Sequence, residues 1–83
     1  MMDSIVVTIT DMNRTFMYDL QIPTKVNAKI VMAKIINAIF MINPGSGIRS
    51  TRRVIDERNG REINLNVTIE ENCIWNGDYL VFI

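Results

Sequence analysis

From Ser4 to Thr10 the chain reads S-I-V-V-T-I-T, with Ile5, Val7 and Ile9 at one phase of a two-residue alternation and Val6, Thr8 and Thr10 at the other. Strict alternation of β-branched residues predicts a strand with one buried face. A second strand is expected from Thr15 to Ile22, with Phe16, Tyr18, Leu20 and Ile22 inward and Thr15, Met17, Asp19 and Gln21 outward. Asp11 to Arg14 supplies turn-forming residues at hairpin spacing. The period then changes. From Thr24 to Phe40, T-K-V-N-A-K-I-V-M-A-K-I-I-N-A-I-F predicts the one substantial helix, with Thr24 as N-cap behind Pro23. Ala28, Val31, Met32, Ile35, Ile36 and Ile39 share a broad apolar face that needs a sheet to lie on. Val26, Ile30, Ala33 and Met41 form a second, thinner strip, so this helix needs two neighbours in its own fold or a partner outside it.

Asn43-Pro44-Gly45-Ser46-Gly47 ends the helix, because proline cannot continue the hydrogen-bond ladder and glycine permits positive φ. This loop follows a helix, whereas phosphate-cradling loops precede one. Arg52 to Arg58 reads as a short, mostly exposed strand, and Asn59-Gly60 as a two-residue hairpin turn into R-E-I-N-L, with Ile63 and Leu65 inward. Thr68 to Ile74 suits a single helical turn with Ile69 and Ile74 inward. After a turn at Asn76-Gly77-Asp78, Tyr79 to Ile83 is apolar on both faces, as a strand in the middle of a sheet would be.

Composition narrows the function. Eighty-three residues, 48% hydrophobic and 22% charged, form one domain, residues 1–83. Such a chain buries about 60 to 65% of its unfolded surface, so its core is small. Lys34 and Asn37 interrupt the longest apolar stretch, which excludes membrane insertion, and the start lacks a signal-peptide pattern; the expected location is cytoplasmic. Nine basic residues balance nine acidic ones, so no whole-molecule field points to nucleic acid. Lys25, Lys29 and Lys34, and the Arg49, Arg52, Arg53, Arg58 and Arg61 cluster, read as solvated charge rather than an anion site.

Catalytic chemistry finds no constellation. Histidine is absent, which removes the commonest general base and metal ligand together, and the single cysteine, Cys73, can form neither an intrachain disulfide nor a multi-cysteine metal site. Cys73 reads as a small, half-buried packing residue, and the adjacent Glu70 and Glu71 as a solvated turn, since neighbours in sequence do not share a helix face. The expectation is a non-enzyme without cofactor or metal.

The order strand, strand, helix, strand, strand, turn, strand is that of the β-grasp, and along its whole length the chain resembles ubiquitin-like proteins. Leu20-Gln21-Ile22-Pro23-Thr24 is similar to the end of their second strand, and Val31-Met32-Ala33-Lys34-Ile35 to their helix core. The ending Ile74-Trp75-Asn76-Gly77-Asp78-Tyr79-Leu80 resembles the small YukD/EsaB proteins of the type VII (WXG100) secretion system. The resemblance implies an α+β fold, a mixed sheet of four to five strands packed on one helix. It also implies a cytosolic accessory or regulatory component of that machine. The alternative is a protein modifier or sulfur carrier activated by an adenylating enzyme. Such carriers act through a C-terminal Gly-Gly, and here the sequence given reads Val81-Phe82-Ile83, which disfavours that alternative.

If Leu80 and Phe82 face the helix, Tyr79, Val81 and Ile83 face outward beside Val6 and Met17. The resemblance makes this apolar patch the expected protein-interaction surface, with Arg52 and Arg53 as rim charges. Trp75 has two readings, a cover for the core edge and an interface anchor. The partner is expected to be a protein, either a membrane component of the secretion machine or a second copy of the chain, docking on the sheet patch or on the strip through Val26 and Ile30.

Overall fold

The computed structural model describes residues 3–83. β1 (Ser4–Asp11) and β2 (Met17–Pro23) form an antiparallel hairpin, in which Ile5 lies opposite Ile22 and Ile9 opposite Tyr18. α1 follows (Ala28–Ile42), then two short 3₁₀ turns, Pro44–Ser46 and Ile48–Ser50. β3 (Val54–Asp56) and β4 (Arg61–Glu62) make a second hairpin, and β5 (Tyr79–Phe82) closes the sheet. The sheet order is β2-β1-β5-β3-β4, with β5 parallel to β1 and antiparallel to β3. This is a β-grasp: a mixed five-stranded sheet wrapped on one helix. The strand read as apolar on both faces does occupy the centre.

The core lies between the inner sheet face and α1. Val7, Ile9, Ile69 and Leu80 are wholly buried, and Ile39 nearly so. Each such side chain contributes about 1.5 to 3 kcal/mol by leaving water. Val31, Met32 and Ile35 complete the face that the periodicity predicts, with Ile36 half-buried at its border.

The helix begins four residues later than its sequence suggests, and Asn27, not Thr24, is the N-cap. Long-range pairing wins over local propensity. Residues 24–28 run against the returning loop: Glu70 N–H donates to Thr24 O at 2.8 Å, Ile69 N–H to Val26 O at 3.1 Å, and Ala28 N–H to Val67 O at 2.8 Å. Lys29 N–H is shared between Asn27 Oδ1 at 2.9 Å and Leu65 O at 3.3 Å. The orphan donors of the first helical turn are thereby satisfied by loop carbonyls. Thr24 is buried, and its own N–H donates to Asp3 O at 2.9 Å.

Four further expectations are corrected. Val54 and Asp56 are buried, so β3 is not a mostly exposed strand; it lies beside the central β5 and has an inward face. The second hairpin closes through Glu57 to Gly60, with Gly60 N–H donating to Asp56 O at 2.8 Å, not through Asn59-Gly60 alone. Leu65 is exposed, because alternation stops when β4 ends at Glu62, and the Leu65 carbonyl turns toward the helix. Cys73 is exposed and sits at φ +57°, where its carbonyl faces Arg58. Ile69 and Ile74 point inward as read, in a turn closed by reciprocal bonds between Thr68 and Glu71: Thr68 N–H to Glu71 Oε1 at 3.1 Å and Glu71 N–H to Thr68 Oγ1 at 3.0 Å.

Candidate protein-interaction surfaces

Strand register decides which outward residues meet. Thr10 pairs with Met17 on one side and Val81 on the other, and Ile55 pairs with both Val81 and Glu62. The outer sheet face therefore carries one continuous row, Met17, Thr10, Val81, Ile55 and Glu62. Met17 is 49% exposed, Val81 and Ile55 are half-buried, and Thr10 is fully buried with its hydroxyl donating to Phe16 O at 2.7 Å. Ile83 adjoins this row through Arg53, exchanging backbone bonds of 3.3 and 2.9 Å with it. Arg53 reaches Glu62 at 3.8 Å and forms a charged rim.

The next row is polar. Thr8 pairs with Asp19 and Tyr79, and its hydroxyl donates to Asp19 Oδ1 at 2.7 Å. Tyr79 is 36% exposed, and the Arg14 guanidinium lies 5.1 Å from its ring centroid while bonding Glu57 at 2.5 Å. Val6 lies beyond this row, opposite Gln21, so the structure separates it from Met17, Val81 and Ile83. Sequence reasoning missed Ile55, which completes the row; the register between β3 and β5 was the missing signal.

Val26 and Ile30 belong to a different surface. Val26 precedes α1 and is half-buried, and Ile30 is 51% exposed on the helix. With Leu20, Ile22 and Pro23 of β2 and with Lys34, they line a groove of about 270 Å³ between β2 and α1. The loop through Pro44 does not cover it: Ile48 is buried at the other end of the helix, near Arg49, whose guanidinium stacks 4.6 Å over Phe40.

Trp75 stands apart from both surfaces. It is 60% exposed, and Arg58 lies 3.8 Å over its ring centroid. Arg58 Nε donates to both carboxylate oxygens of Asp78, at 3.0 and 3.1 Å, and its NH2 group to Cys73 O at 2.7 Å. Trp75 N–H closes the ring of bonds on Asp78 Oδ2 at 2.9 Å. Beneath them Asp56 is buried, and Oδ2 has no hydrogen-bond partner among the described residues. Its neighbour is the Asp78 carboxylate, and two acceptors bond only if one carries a proton. Burial first, and Asp78 second, push the Asp56 carboxyl up to about 6, against the opposing pull of Arg58. Burial also acts to raise Asp78, but the bonds from Asp56, the Trp75 N–H and Arg58 outweigh it and leave Asp78 below the usual range. The arginines are thus dispersed: Arg49, Arg53 and Arg58 each serve a separate contact. Among the described residues no group of three or more His, Cys, Asp or Glu side chains could hold a metal ion, and no helix is long and apolar enough to cross a membrane.

The sheet order, single helix and parallel β1–β5 pair define a ubiquitin-like β-grasp domain. Among solved structures, a de novo design based on ubiquitin is similar at a TM-score of 0.68 and 21% identity, over 98% of this chain and 88% of the design. The ubiquitin-like domain of the Mycobacterium tuberculosis type VII secretion protein EccD1 is similar at 0.71 and 15%, over 99% of both chains. The EccD5 ubiquitin-like domain from Mycobacterium xenopi is similar at 0.67 and 11%, over 96% of this chain and 94% of that one. No protein-family model and no curated protein sequence matches the chain.

Proposed function

We propose that the protein is a non-enzymatic ubiquitin-like interaction module, a YukD/EsaB-type accessory or regulatory component of type VII secretion that works at the cytoplasmic side of the machine. The observation that carries the docking role is the row Met17–Thr10–Val81–Ile55 on the outer sheet face, apolar on three of the four strands it crosses and rimmed by Arg53 and Glu62. A row of this kind buries apolar area against a protein partner and leaves its polar flank to set orientation. The choice of machine is supported by the full-length structural likeness to the EccD1 domain. A membrane component of the secretion complex is the partner we assign to it.

The test combines deletion and crosslinking. In cells that secrete WXG100 substrates, deleting the gene should change substrate export, and a photocrosslinker at Met17 should capture a membrane component of the complex. Unaltered export, or crosslinks to unrelated proteins only, would overturn the assignment.

A further inference from the structure

Asp56 is a buried acid with an open acceptor. It is 1% exposed at the end of β3, with Leu80 beside it on β5 and Arg61 beside it on β4. Its Oδ1 accepts the Arg58 N–H at 3.1 Å, while its Oδ2 has no hydrogen-bond partner among the described residues. The Arg58 guanidinium stops short of that oxygen, with Nη2 3.7 Å away. Its bonds go elsewhere: Nε holds Asp78, Nη2 holds the Cys73 carbonyl, and the plane lies over the Trp75 ring.

Few groups act on the Asp56 charge. The entry to β5 presents the Asp78 carboxylate, and the turn after β3 presents the Arg58 cation. Glu57 is engaged by Arg14, and Arg61 on β4 is exposed. The returning loop offers the Cys73 carbonyl, with Glu71 tied to the Thr68 N–H, and α1 holds no acid and keeps Lys29 and Lys34 exposed. Asp56 therefore has a different best partner in each charge state. With a proton it donates to Asp78 and needs nothing from the guanidinium. Without one, two carboxylates lie together in a buried site, and the cation nearest the open oxygen is Arg58.

We propose that Asp56 is a proton-operated latch for Arg58: protonated, it bonds Asp78 and leaves the guanidinium over Trp75; ionised, it draws the guanidinium between the two carboxylates and uncovers the ring. The movement is small, since charge-assisted N–H···O bonds form at about 2.8 Å and closing the gap takes about 1 Å. Nε stays on Asp78 while Nη2 turns from the Cys73 carbonyl to Asp56 Oδ2, so one guanidinium spans both acids. A bond to a carboxylate is roughly twice as strong as one to a neutral carbonyl, and a stack on a largely exposed ring is a weak tie. The exchange is therefore favoured once the proton leaves to water. The ring it uncovers stands apart from the row through Met17 and Val81, so the latch governs a separate apolar surface.

Side-chain resonances of the wild-type protein, followed from pH 5 to 8, test the latch. The Asp56 carboxyl carbon should titrate with a midpoint at about 6. Over the same range the Arg58 side-chain protons, held upfield by the indole ring, should lose that shift, and the Trp75 indole resonances and fluorescence should change in step. The chain contains no histidine, so no imidazole titrates in this window. Asp56→Asn keeps a donor toward Asp78 and has no proton to lose, so its Arg58 protons should stay upfield throughout. Arg58 and Trp75 signals that stay flat while Asp56 titrates would overturn the latch, as would a transition that persists unchanged in Asp56→Asn. An Asp56 carboxyl already ionised at pH 5 would overturn it in the wild-type protein alone, whether or not the variant folds.

Discussion

Arg58 lies flat over Trp75, its guanidinium carbon 3.8 Å from the ring centroid, while its Nε is bonded to the buried Asp78. One side chain thus joins β3's turn, the entry to β5 and the returning loop at Cys73. Removing it leaves Asp78 buried without its charge partner. Arg58→Ala should cost about 2 to 3 kcal/mol, less than the about 3 to 5 kcal/mol for breaking a fully buried pair, because Arg58 itself is partly exposed. Arg58→Lys should recover less than half, since an ammonium can neither fork across a carboxylate nor stack on indole in the same way. Urea unfolding followed by Trp75, the single tryptophan, reads both the loss and the local change.

Asp56 makes the same network pH-sensitive. Its folded-state pKa is raised to about 6 by burial and by Asp78, above the usual carboxylate value. The folded state therefore binds a proton that the unfolded chain does not, between about pH 4 and 6. That contribution to stability is fully present below the unfolded pKa and is lost as pH rises through about 6. Asp78, with its pKa lowered, acts in the opposite sense: its contribution is present above the unfolded value and fades only in stronger acid. Thermal unfolding should therefore show stability increasing as pH falls from 7 to 5. Asp56→Asn should flatten the profile in that window. A wild-type profile already flat there would show that Asp56 holds no extra proton.

Much of this fold was legible because its signals are local. Alternation at Ile5, Val7 and Ile9 and the helical face from Ala28 to Ile39 each record burial in a short window, and both match the observed core. What escaped depends on partners distant in sequence. Thr24 has good capping chemistry, yet Glu70 takes its carbonyl, and the helix starts at Ala28 instead. Val6 alternates in phase with the apolar patch, but the polar Thr8–Asp19 row divides them, which only register reveals. Asp78 reads as an ordinary turn residue beside glycine; its burial under Arg58 and Trp75 is a tertiary fact without a spacing to announce it.

The outer row is graded in how much it can be altered without harm to the fold. Met17, at the edge strand and half exposed, should accept Met17→Asp with a stability change within about 0.5 kcal/mol. Val81 sits between Thr10 and Ile55 in the central strand, and Val81→Asp places a charge in a half-buried site, at a cost of about 2 kcal/mol or more. If the row is a docking surface, Met17→Asp abolishes co-purification of the partner while circular dichroism and melting temperature stay as in the wild type. Binding unaffected by Met17→Asp would move the interface off this face.

The returning loop and the helix N-terminus stand or fall together through Asn72. Its Nδ2 donates to Asn64 O at 3.0 Å and Thr68 O at 2.9 Å, and its Oδ1 accepts from Asn64 N–H at 2.8 Å. This side chain holds the ends of the 64–68 segment, whose Leu65 and Val67 carbonyls receive the Lys29 and Ala28 N–H groups. Asn72→Ala removes three bonds and loosens two helix caps at a distance. The expected cost is about 2 kcal/mol, from one to two net hydrogen bonds plus weakened capping. The distinguishing readout is local: amide exchange at Ala28 and Lys29 should accelerate more than at Ile35 or Ile39 in the middle of the same helix. Uniform acceleration along α1 would mean that Asn72 supports only global stability and that the loop does not act as the helix cap.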